Sequence, residues 1–181
     1  MSPSAATGGD EPGEAPSFGT IFREQAPFVW RLLRRIGVRA VDADDLCQEV
    51  FLVLHRRFAE IDTSRPLRPW VYGVAIRLAG EHRRRRRFAE GARESADVSA
   101  PALQHHELER RQLRDLLHEA IARLDETKRA IFVLHELEEL SMTEIAEALS
   151  CPAQTAYSRL HAARKEVRAF FARLEARETV A

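Results

Sequence analysis

Apolar side chains recur every three or four residues in seven stretches of the chain, which is the spacing of one buried face on an α-helix. None of these stretches alternates apolar and polar residues as a half-buried strand does. The sequence therefore predicts an all-α fold. The predicted helices span about residues 18–36 (interrupted at Pro27), 44–58, 70–87, 106–123, 125–138, 142–149 and 153–175.

Segments with the composition of loops divide these helices into two groups. Residues 1–17 are rich in Gly, Pro, Ala and Ser, which predicts a disordered leader. Residues 88–104 combine Gly, Ser and Pro with many alanines and lack periodicity, which predicts a flexible interdomain linker. We therefore expect two small helical domains, at residues 18–87 and 105–177. Within the first, residues 62–69 are predicted to form a loop that carries two prolines.

Local signals predict where several helices begin. Asp42 or Asp44 can cap the second helix, because a carboxylate accepts hydrogen bonds from free N–H groups of the first turn. Ser141 and Glu144 have the spacing of a capping box. Pro152 stands near the start of the last helix, where its missing N–H costs least.

Residues 141–168 have the pattern of a helix-turn-helix, with a short capped helix, a turn at "SCP" and a longer second helix. Small Ala146 allows the second helix to cross the first closely. A helical wheel places one stripe of the second helix in the core and polar groups opposite it. The core stripe is Ala156, Leu160, Ala163, Val167, Phe170 and Leu174; the outer face is Gln154, Ser158, His161, Lys165 and Arg168, flanked by Tyr157 and Arg164.

The net charge is zero, but the charges are segregated along the chain. Residues 125–147 hold seven acids and two bases, whereas residues 155–177 hold six bases and two acids. Arg83–Arg87 form an unbroken run of five. Such blocks suit a protein that binds both a basic and an acidic surface. The outer face of the last helix carries groups that recognise base edges and phosphates in a major groove, although a solvated arginine-rich helix would have the same composition.

Membrane, metal and redox functions find little support in the sequence. The longest run without a charged residue is about eleven, at 148–158, and it contains a proline, so no membrane span is predicted. Cys47 and Cys151 are too far apart to suggest a disulfide framework or a zinc site, which favours a reducing, cytoplasmic setting. His105, His106 and Glu109 are interpreted as surface side chains beside the linker. No metal, cofactor or enzymatic activity is therefore predicted.

Two parts of the chain are similar to a known family. "DADDLCQEVFLVLHRRF" (42–58) followed by "RPWVYGVAIRLAGEHRRRRR" (68–87) resembles domain 2 of bacterial sigma factors of the extracytoplasmic-function (ECF) group. "LDETKRAIFVLHELEELSMTEIAEALSCPAQTAYSRLHAARKEVR" (124–168) resembles their domain 4. The similarity covers about residues 18–175. It implies a dissociable specificity subunit of RNA polymerase that binds promoter DNA, has no catalytic residues, and is sequestered by an anti-sigma factor.

The resemblance also implies site residues. The second helix would bind the polymerase β′ coiled coil, and domain 4 would contact the β flap. The residues implied for core binding are Asp44, Asp45, Gln48 and Glu49, although the two aspartates also suit the helix N-terminus for electrostatic reasons. Those implied for the −10 element are Arg65, Arg68, Trp70, Tyr72, Arg77, Glu81, His82, Arg84 and Arg85. Those implied for the −35 element are Gln154, Thr155, Tyr157, Ser158, Arg159, His161, Arg164, Lys165 and Arg168.

Some residues depart from the family pattern. Ser150 and Gln154 stand where glycine is common, Tyr157 where a basic residue is usual, and Arg77 where asparagine is common. Trp70 opens a helix with Val71 and Val74, which favours a core position over a stacking platform. These departures leave the fold prediction unchanged and prevent transfer of a promoter sequence.

Two other functions fit part of the sequence. A helix-turn-helix regulator that acts without polymerase accounts for residues 141–168 but leaves the acidic second helix unexplained. A helical adaptor that binds only proteins accounts for the charge blocks but not for the polar outer face of the last helix. The first is distinguished from a sigma factor by testing whether the protein joins core polymerase. The second is distinguished by reversing the charges of Arg164 and Lys165 and measuring promoter output.

Overall fold

The computed structural model describes residues 17–62, 65–90 and 105–178, with side chains at 17–62, 65–88 and 112–177. Within these ranges every regular element is helical, so the all-α prediction is confirmed. The helices are α1 Phe18–Arg35, α2 Ala40–Arg57, α3 Leu67–Glu90, α4 His105–Ala122, α5 Glu126–Phe132, α6 Met142–Ala148 and α7 Ala153–Glu178. A 3₁₀ turn, Phe58–Glu60, follows α2, and a π-helical turn, Val133–Leu137, follows α5.

Two details at the start of the chain differ from the sequence prediction. Pro27 lies inside a continuous α1, because the buried residues on both sides of it hold one helix against its neighbours. The cap of α2 is Arg39, so neither Asp42 nor Asp44 caps this helix. Asp42 instead lies in the first turn and accepts a hydrogen bond from Arg39 Nε at 2.8 Å, which lowers the pKa of its carboxyl.

The predicted capping box of α6 is confirmed. Glu144 N donates to Ser141 Oγ at 3.3 Å, and Ser141 N donates to the Glu144 carboxylate at 2.8 Å. The side-chain and backbone hydrogen bonds with Ser141 lower the pKa of Glu144. These bonds satisfy two free donors of a helix that has only seven residues, which fixes the start of the helix-turn-helix.

Buried apolar residues form one continuous core across the two groups of helices. Helices α1, α2 and α3 pack on one another, α7 packs against α4, α5 and α6, and α3 packs against α6. The core stripe predicted for α7 is confirmed, since its residues from Ala156 to Phe170 are buried and Leu174 is half-buried. The predicted leader (1–17) and linker (88–104) lie largely outside the described residues, although α3 continues to Glu90.

Two helices end in the same turn but with different residues at its key position. After α1, Gly37 N donates to Arg34 O at 3.1 Å and Val38 N to Leu33 O at 2.9 Å. After α6, Ser150 N donates to Glu147 O at 3.1 Å and Cys151 N to Ala146 O at 3.0 Å. Both patterns are Schellman motifs, which require a left-handed residue, and φ is +94° at Gly37 and +49° at Ser150. The left-handed backbone at position 150 therefore explains why glycine is common there in the family pattern.

Ser150→Gly is expected to stabilise the helix-turn-helix. Glycine has no Cβ and occupies left-handed conformations without steric cost, so we expect a gain of about 0.5–1 kcal/mol in the free energy of unfolding. Urea denaturation followed by circular dichroism measures this gain, with Ser141→Gly as the opposite control because it removes a capping side chain. A lower midpoint for Ser150→Gly than for the wild type would contradict the argument.

Candidate functional site

The outer side of α2 carries an exposed strip that we call the docking face: Val41, Asp44, Asp45, Gln48 and Leu52. Its central members follow the i, i+4, i+7, i+11 spacing of one helix face. Val41 is 75% exposed and Leu52 is 55% exposed, so two apolar side chains flank the acidic and amide groups. Glu49, the fourth residue predicted for core binding, is half-buried at the edge of this strip.

Helix α1 fixes the orientation of one docking-face carboxylate. Trp30 Nε1 donates to Asp44 Oδ1 at 2.9 Å, and Trp30 itself remains partly exposed. Trp30, Val41 and Leu52 are not among the residues predicted from the sequence. The signal for Val41 and Leu52 was present, because both fall on the polar side of a helix whose other apolar residues face the core.

Helix α3 presents three different sides. One side is buried against α1 and α2 and includes Val71, Val74, Ala75 and Leu78. A second side faces α6. The third side is the open face of α3, on which the wheel places Trp70, Arg77, Glu81, Arg84 and Phe88.

A cavity of about 270 Å³ lies where α3 begins, next to the predicted loop. Trp70 lines it together with Arg57 and Arg65, so an aromatic ring and two cations face the same space. Trp70 is half-buried. Its exposure is therefore intermediate between that of the predicted core residue and that of an exposed stacking platform. Glu147 of α6 also lines the cavity, and its carboxylate lies 3.0 Å from Arg65 Nη2.

The structure separates the residues predicted for the −10 element into accessible and occupied groups. Arg77, Arg84 and Arg85 are exposed, and Glu81 is half-buried on the open face. His82 lies under this face with Nε2 3.3 Å from the Asp42 carboxylate. Arg68 and Tyr72 contact Glu138 before α6, and Arg65 pairs with Glu147 of α6 while its side chain stays exposed.

The outer side of α7 forms an exposed surface that we call the recognition face: Gln154, Tyr157, Ser158, His161, Lys165 and Arg168. All six side chains are exposed, which agrees with the wheel drawn from the sequence. Tyr157 is 55% exposed although it is aromatic. The face combines amide, phenol, hydroxyl, imidazole and cationic groups along four turns of one helix, and these groups hydrogen-bond to base edges and phosphates.

The other residues predicted for the −35 element lie beside this face. Arg164 is half-buried and donates from Nε to Glu136 at 2.7 Å, which ties α7 to the π-helical turn. Arg159 is half-buried near the core stripe. Thr155 is half-buried, and its carbonyl accepts a hydrogen bond from Ser158 Oγ at 2.9 Å. Arg164 therefore supports the helix on which the exposed groups stand.

A buried carboxylate links the two halves of the chain in what we call the Glu138 cluster: Glu138, Arg35, Arg68 and Tyr72. Glu138 is only 4% exposed and forms an ion pair with Arg35. Tyr72 Oη donates to Glu138 Oε2 at 3.2 Å, and Arg68 Nη2 donates to the backbone carbonyl of Glu138 at 3.2 Å. These contacts replace water around a charge that would be costly to bury unpaired.

The cluster shifts the pKa values of its members in ways that follow from burial and charge. Burial and the nearby Glu138 charge raise the pKa of Tyr72, so its hydroxyl stays protonated and donates. Burial acts to lower the pKa of Arg68, but the Tyr72 contact and the charge of Glu138 outweigh it and raise that pKa. Both groups therefore keep the protonation states that hold the carboxylate.

An irregular backbone positions Glu138. The π-helical turn ends with Glu138 N donating to Val133 O at 3.0 Å, and the next residue, Glu139, has a φ of +58°. A π turn and a left-handed non-glycine residue are both uncommon and cost energy that the surrounding structure must offset. The sequence shows an acidic segment but does not distinguish this buried member, because the exposed neighbours Glu136 and Glu139 are the same residue type.

The remaining candidates from the sequence have no chemistry assigned by the structure. Cys47 is buried, and burial raises the pKa of its thiol. Cys151 is half-buried in the turn before α7. Among the described side chains, no group of three or more histidines, cysteines and carboxylates is placed to hold a metal; His105, His106 and Glu109 lie outside those side chains. In the described part of the chain, no helix is long and apolar enough to span a bilayer.

The fold is similar to that of two solved complexes. One is the structure of CnrH in complex with the cytosolic domain of CnrY, with a TM-score of 0.65 and 21% identity over 88% of this chain and 90% of the other. The second is the sigma factor RpoE in complex with the anti-sigma factor NepR from Bartonella quintana, with a TM-score of 0.72 and 17% identity over 85% and 96%. At these identities the likeness establishes the fold.

Curated relatives align over most of their own length. The RNA polymerase sigma-H factor of Pseudomonas aeruginosa is 28% identical over 173 residues, which is 86% of each chain. The ECF RNA polymerase sigma factor SigL of Mycobacterium tuberculosis is 29% identical over 166 residues, covering 91% of this chain and 94% of SigL. SigW of Bacillus subtilis is 24% identical over 167 residues, covering 86% and 89%.

Family matches define the class of the protein. Residues 21–89 match the family Sigma-70 region 2, and residues 114–167 match Sigma-70, region 4. The fold and these two regions define a sigma factor of RNA polymerase, which directs promoter recognition in transcription initiation. Together with its relatives, this chain belongs to the ECF group of sigma factors. We refer below to α1–α3 as region 2 and to α4–α7 as region 4.

Proposed function

We propose that the recognition face of α7 binds the −35 element as duplex DNA in its major groove. The observation that carries this proposal is the exposure of six polar side chains on one side of a helix whose opposite side is buried. A helix fits the major groove, and its cations neutralise phosphates while the amide and imidazole groups contact base edges. Because the cations displace counterions, affinity should fall steeply with salt.

The open face of α3 and the adjacent cavity are proposed to bind the −10 element as a melted strand. Trp70 provides a ring at the cavity, and Arg77, Arg84 and Arg85 provide cations along the helix that leads from it. A single strand needs this combination of a stacking surface and a cationic track. A captured base would enter a space of about 270 Å³.

The docking face of α2 is proposed to bind the β′ coiled coil of core polymerase, and region 4 to contact the β flap. Asp45 and Gln48 offer polar groups for a basic partner, and Val41 and Leu52 offer exposed apolar area on the same strip. Burial of the two apolar side chains would contribute affinity, and the charged and amide groups between them would orient a basic partner. The protein would act in the cytoplasm, where core polymerase and promoter DNA are.

Asp45→Lys combined with Leu52→Asp is expected to weaken binding to core polymerase by at least about 100-fold, because it replaces an attractive charge and an apolar contact with repulsion and desolvation. Fluorescence anisotropy of labelled protein titrated with purified core polymerase measures this loss, and run-off transcription should fall with it. Asp115→Asn, at an exposed position on α4, is the control for the change in net charge, because it raises the net charge by one as the double variant does. Normal core binding by the double variant would remove the docking face from the proposal.

An anti-sigma factor is a proposed partner. The two structural neighbours are complexes of CnrH with the cytosolic domain of CnrY and of RpoE with the anti-sigma factor NepR. Such a protein would cover surfaces of both regions. Affinity purification of the tagged chain from cells, with and without the Asp45 and Leu52 substitutions, tests whether a partner other than polymerase uses the docking face.

A further inference from the structure

We propose that region 4 competes with nucleic acid for region 2 within the free protein. In this closed state, carboxylates of the acidic segment 125–147 pair with cations on and beside α3. The segment must move away before a melted strand can bind those cations. The proposal rests on the assignment of α3 to the −10 element made above. It explains why a DNA-binding chain carries five excess negative charges immediately before its DNA-binding helix.

Four ion pairs between described side chains of the two regions have the same polarity. The cation belongs to region 2 and the carboxylate to region 4 in each of them: Arg35 with Glu138, Arg65 with Glu147, Arg68 with Glu138, and Arg83 with Glu126. Three of these cations extend from the loop before α3 to its fifth turn, and Arg35 lies at the end of α1. Region 4 thus presents carboxylates to a row of cations on region 2. These carboxylates take the positions that the phosphates of a bound strand would take.

The contacts involve groups that were assigned to the −10 element. Arg65 and Arg68 each pair with a region 4 carboxylate, and Tyr72 is 0% exposed beneath Glu138. Glu147 also brings a negative charge to the cavity beside Trp70. The open face of α3 stays accessible, so the closed state blocks the start of the strand path and leaves its continuation free.

The close approach of α3 and α6 depends on one glycine. A Cβ at Gly73 would lie 2.3 Å from the carbonyl oxygen of Ala148, a backbone atom that cannot move aside. Glycine in a helix interior weakens the helix, so its presence here serves the contact with region 4. A Cβ at Gly80 would meet only side-chain atoms, chiefly the carboxylate of Glu126, which can rotate away.

Opening of the closed state differs energetically from unfolding. Separation of the regions returns the charged groups of the Glu138 cluster to water: Arg35, Arg68 and Glu138. Removal of one partner in the closed state instead leaves a buried charge unpaired. Substitutions in the cluster therefore act mainly on the opening equilibrium. The affinity measured for a strand equals the intrinsic affinity multiplied by the open fraction, so opening appears directly as tighter binding.

Two independent variants open the protein in different ways. Gly73→Ala introduces a steric clash with α6 while raising the helix propensity of α3. Glu138→Gln combined with Glu147→Gln removes the two carboxylates that hold Arg65 and Arg68. Gly19→Ala is the matched control, because it makes the same change inside a helix of region 2 where a new Cβ comes no nearer than 3.8 Å to the Ser17 hydroxyl oxygen and disturbs no contact with region 4.

The test measures the radius of gyration of the full chain by small-angle X-ray scattering and the binding of a fluorescein-labelled single strand. The strand is of mixed sequence and about a dozen nucleotides long, which suits a groove that binds backbone and base planes. For Gly73→Ala and for the double glutamine variant we expect a larger radius and binding at least about tenfold tighter, with wild-type behaviour for Gly19→Ala. Helical circular dichroism identifies a variant that fails to fold, and the other opening variant then decides.

An unchanged radius in both opening variants would overturn the proposal, and so would a larger radius without tighter binding of the strand. The assignment of α3 is tested separately with Arg77→Glu and Arg84→Glu in the reconstituted holoenzyme. If that holoenzyme still melts promoters as the wild type does, the −10 assignment fails whatever the radius of the opening variants. If promoter melting is lost while the opening variants stay compact, the assignment stands and only the closed state is refuted.

Discussion

Lys165→Glu combined with Arg168→Glu is expected to reduce transcription from the cognate promoter by about 100-fold or more while leaving core binding intact. Both side chains are exposed on the recognition face, one helical turn apart. Each contact of a cation with DNA is worth about 1–3 kcal/mol, and the new carboxylates add repulsion from phosphates. Run-off transcription with reconstituted holoenzyme measures the loss.

The control is a second charge reversal on the same helix. Arg173→Glu with Arg177→Glu changes the net charge equally, but these exposed residues lie nearer the end of α7 and outside the recognition face. We expect this pair to retain promoter activity within a few-fold. Equal losses for both pairs would show that total charge, rather than the recognition face, determines DNA binding.

The recognition face shows which parts of the site follow from local sequence. A helix has one period, so the buried stripe from Ala156 to Phe170 places Ser158, His161 and Lys165 outside without knowledge of any neighbour. The same periodicity places Leu52 on the polar side of α2. Its exposure could therefore have been predicted from the sequence. Periodicity therefore predicts the surfaces that one helix forms alone.

Tyr72 and Glu138 show what local sequence does not contain. They are 66 positions apart, and their hydrogen bond depends on how α3 lies against region 4. The wheel of α3 separates Tyr72 from the core stripe of region 2 but does not show that another part of the chain covers it. Gly73 is similar, because a glycine inside a helix predicts a close contact without naming the partner, Ala148.

The cap of α2 illustrates a different limit. Asp42 and Asp44 both have side chains that suit a cap, and the sequence offered no choice between them. The structure begins the helix earlier, after Arg39, and uses Asp44 to accept a hydrogen bond from Trp30. The role of Asp44 is thus set by a contact with another helix, α1, and not by the preference of its side chain for a helix cap.

Leu160→Ala and His161→Ala are expected to have opposite effects although the two residues are adjacent. Leu160 is 3% exposed in the core between α7 and its neighbours, so its truncation removes buried contacts and leaves a cavity. We expect a loss of about 2–5 kcal/mol in the free energy of unfolding. His161 is exposed on the recognition face, and its truncation should change stability by no more than about 0.5 kcal/mol.

DNA binding separates the two variants further. His161→Ala should stay folded and bind −35 duplex more weakly at every temperature, because a group that we propose to contact the groove is missing. Leu160→Ala keeps the whole recognition face, so it should bind normally once cooling or a stabilising change such as Ser150→Gly restores the folded fraction. Urea denaturation and duplex anisotropy on the same samples distinguish these outcomes. Weak binding by folded Leu160→Ala, with normal binding by His161→Ala, would mean that the recognition face lies elsewhere on α7.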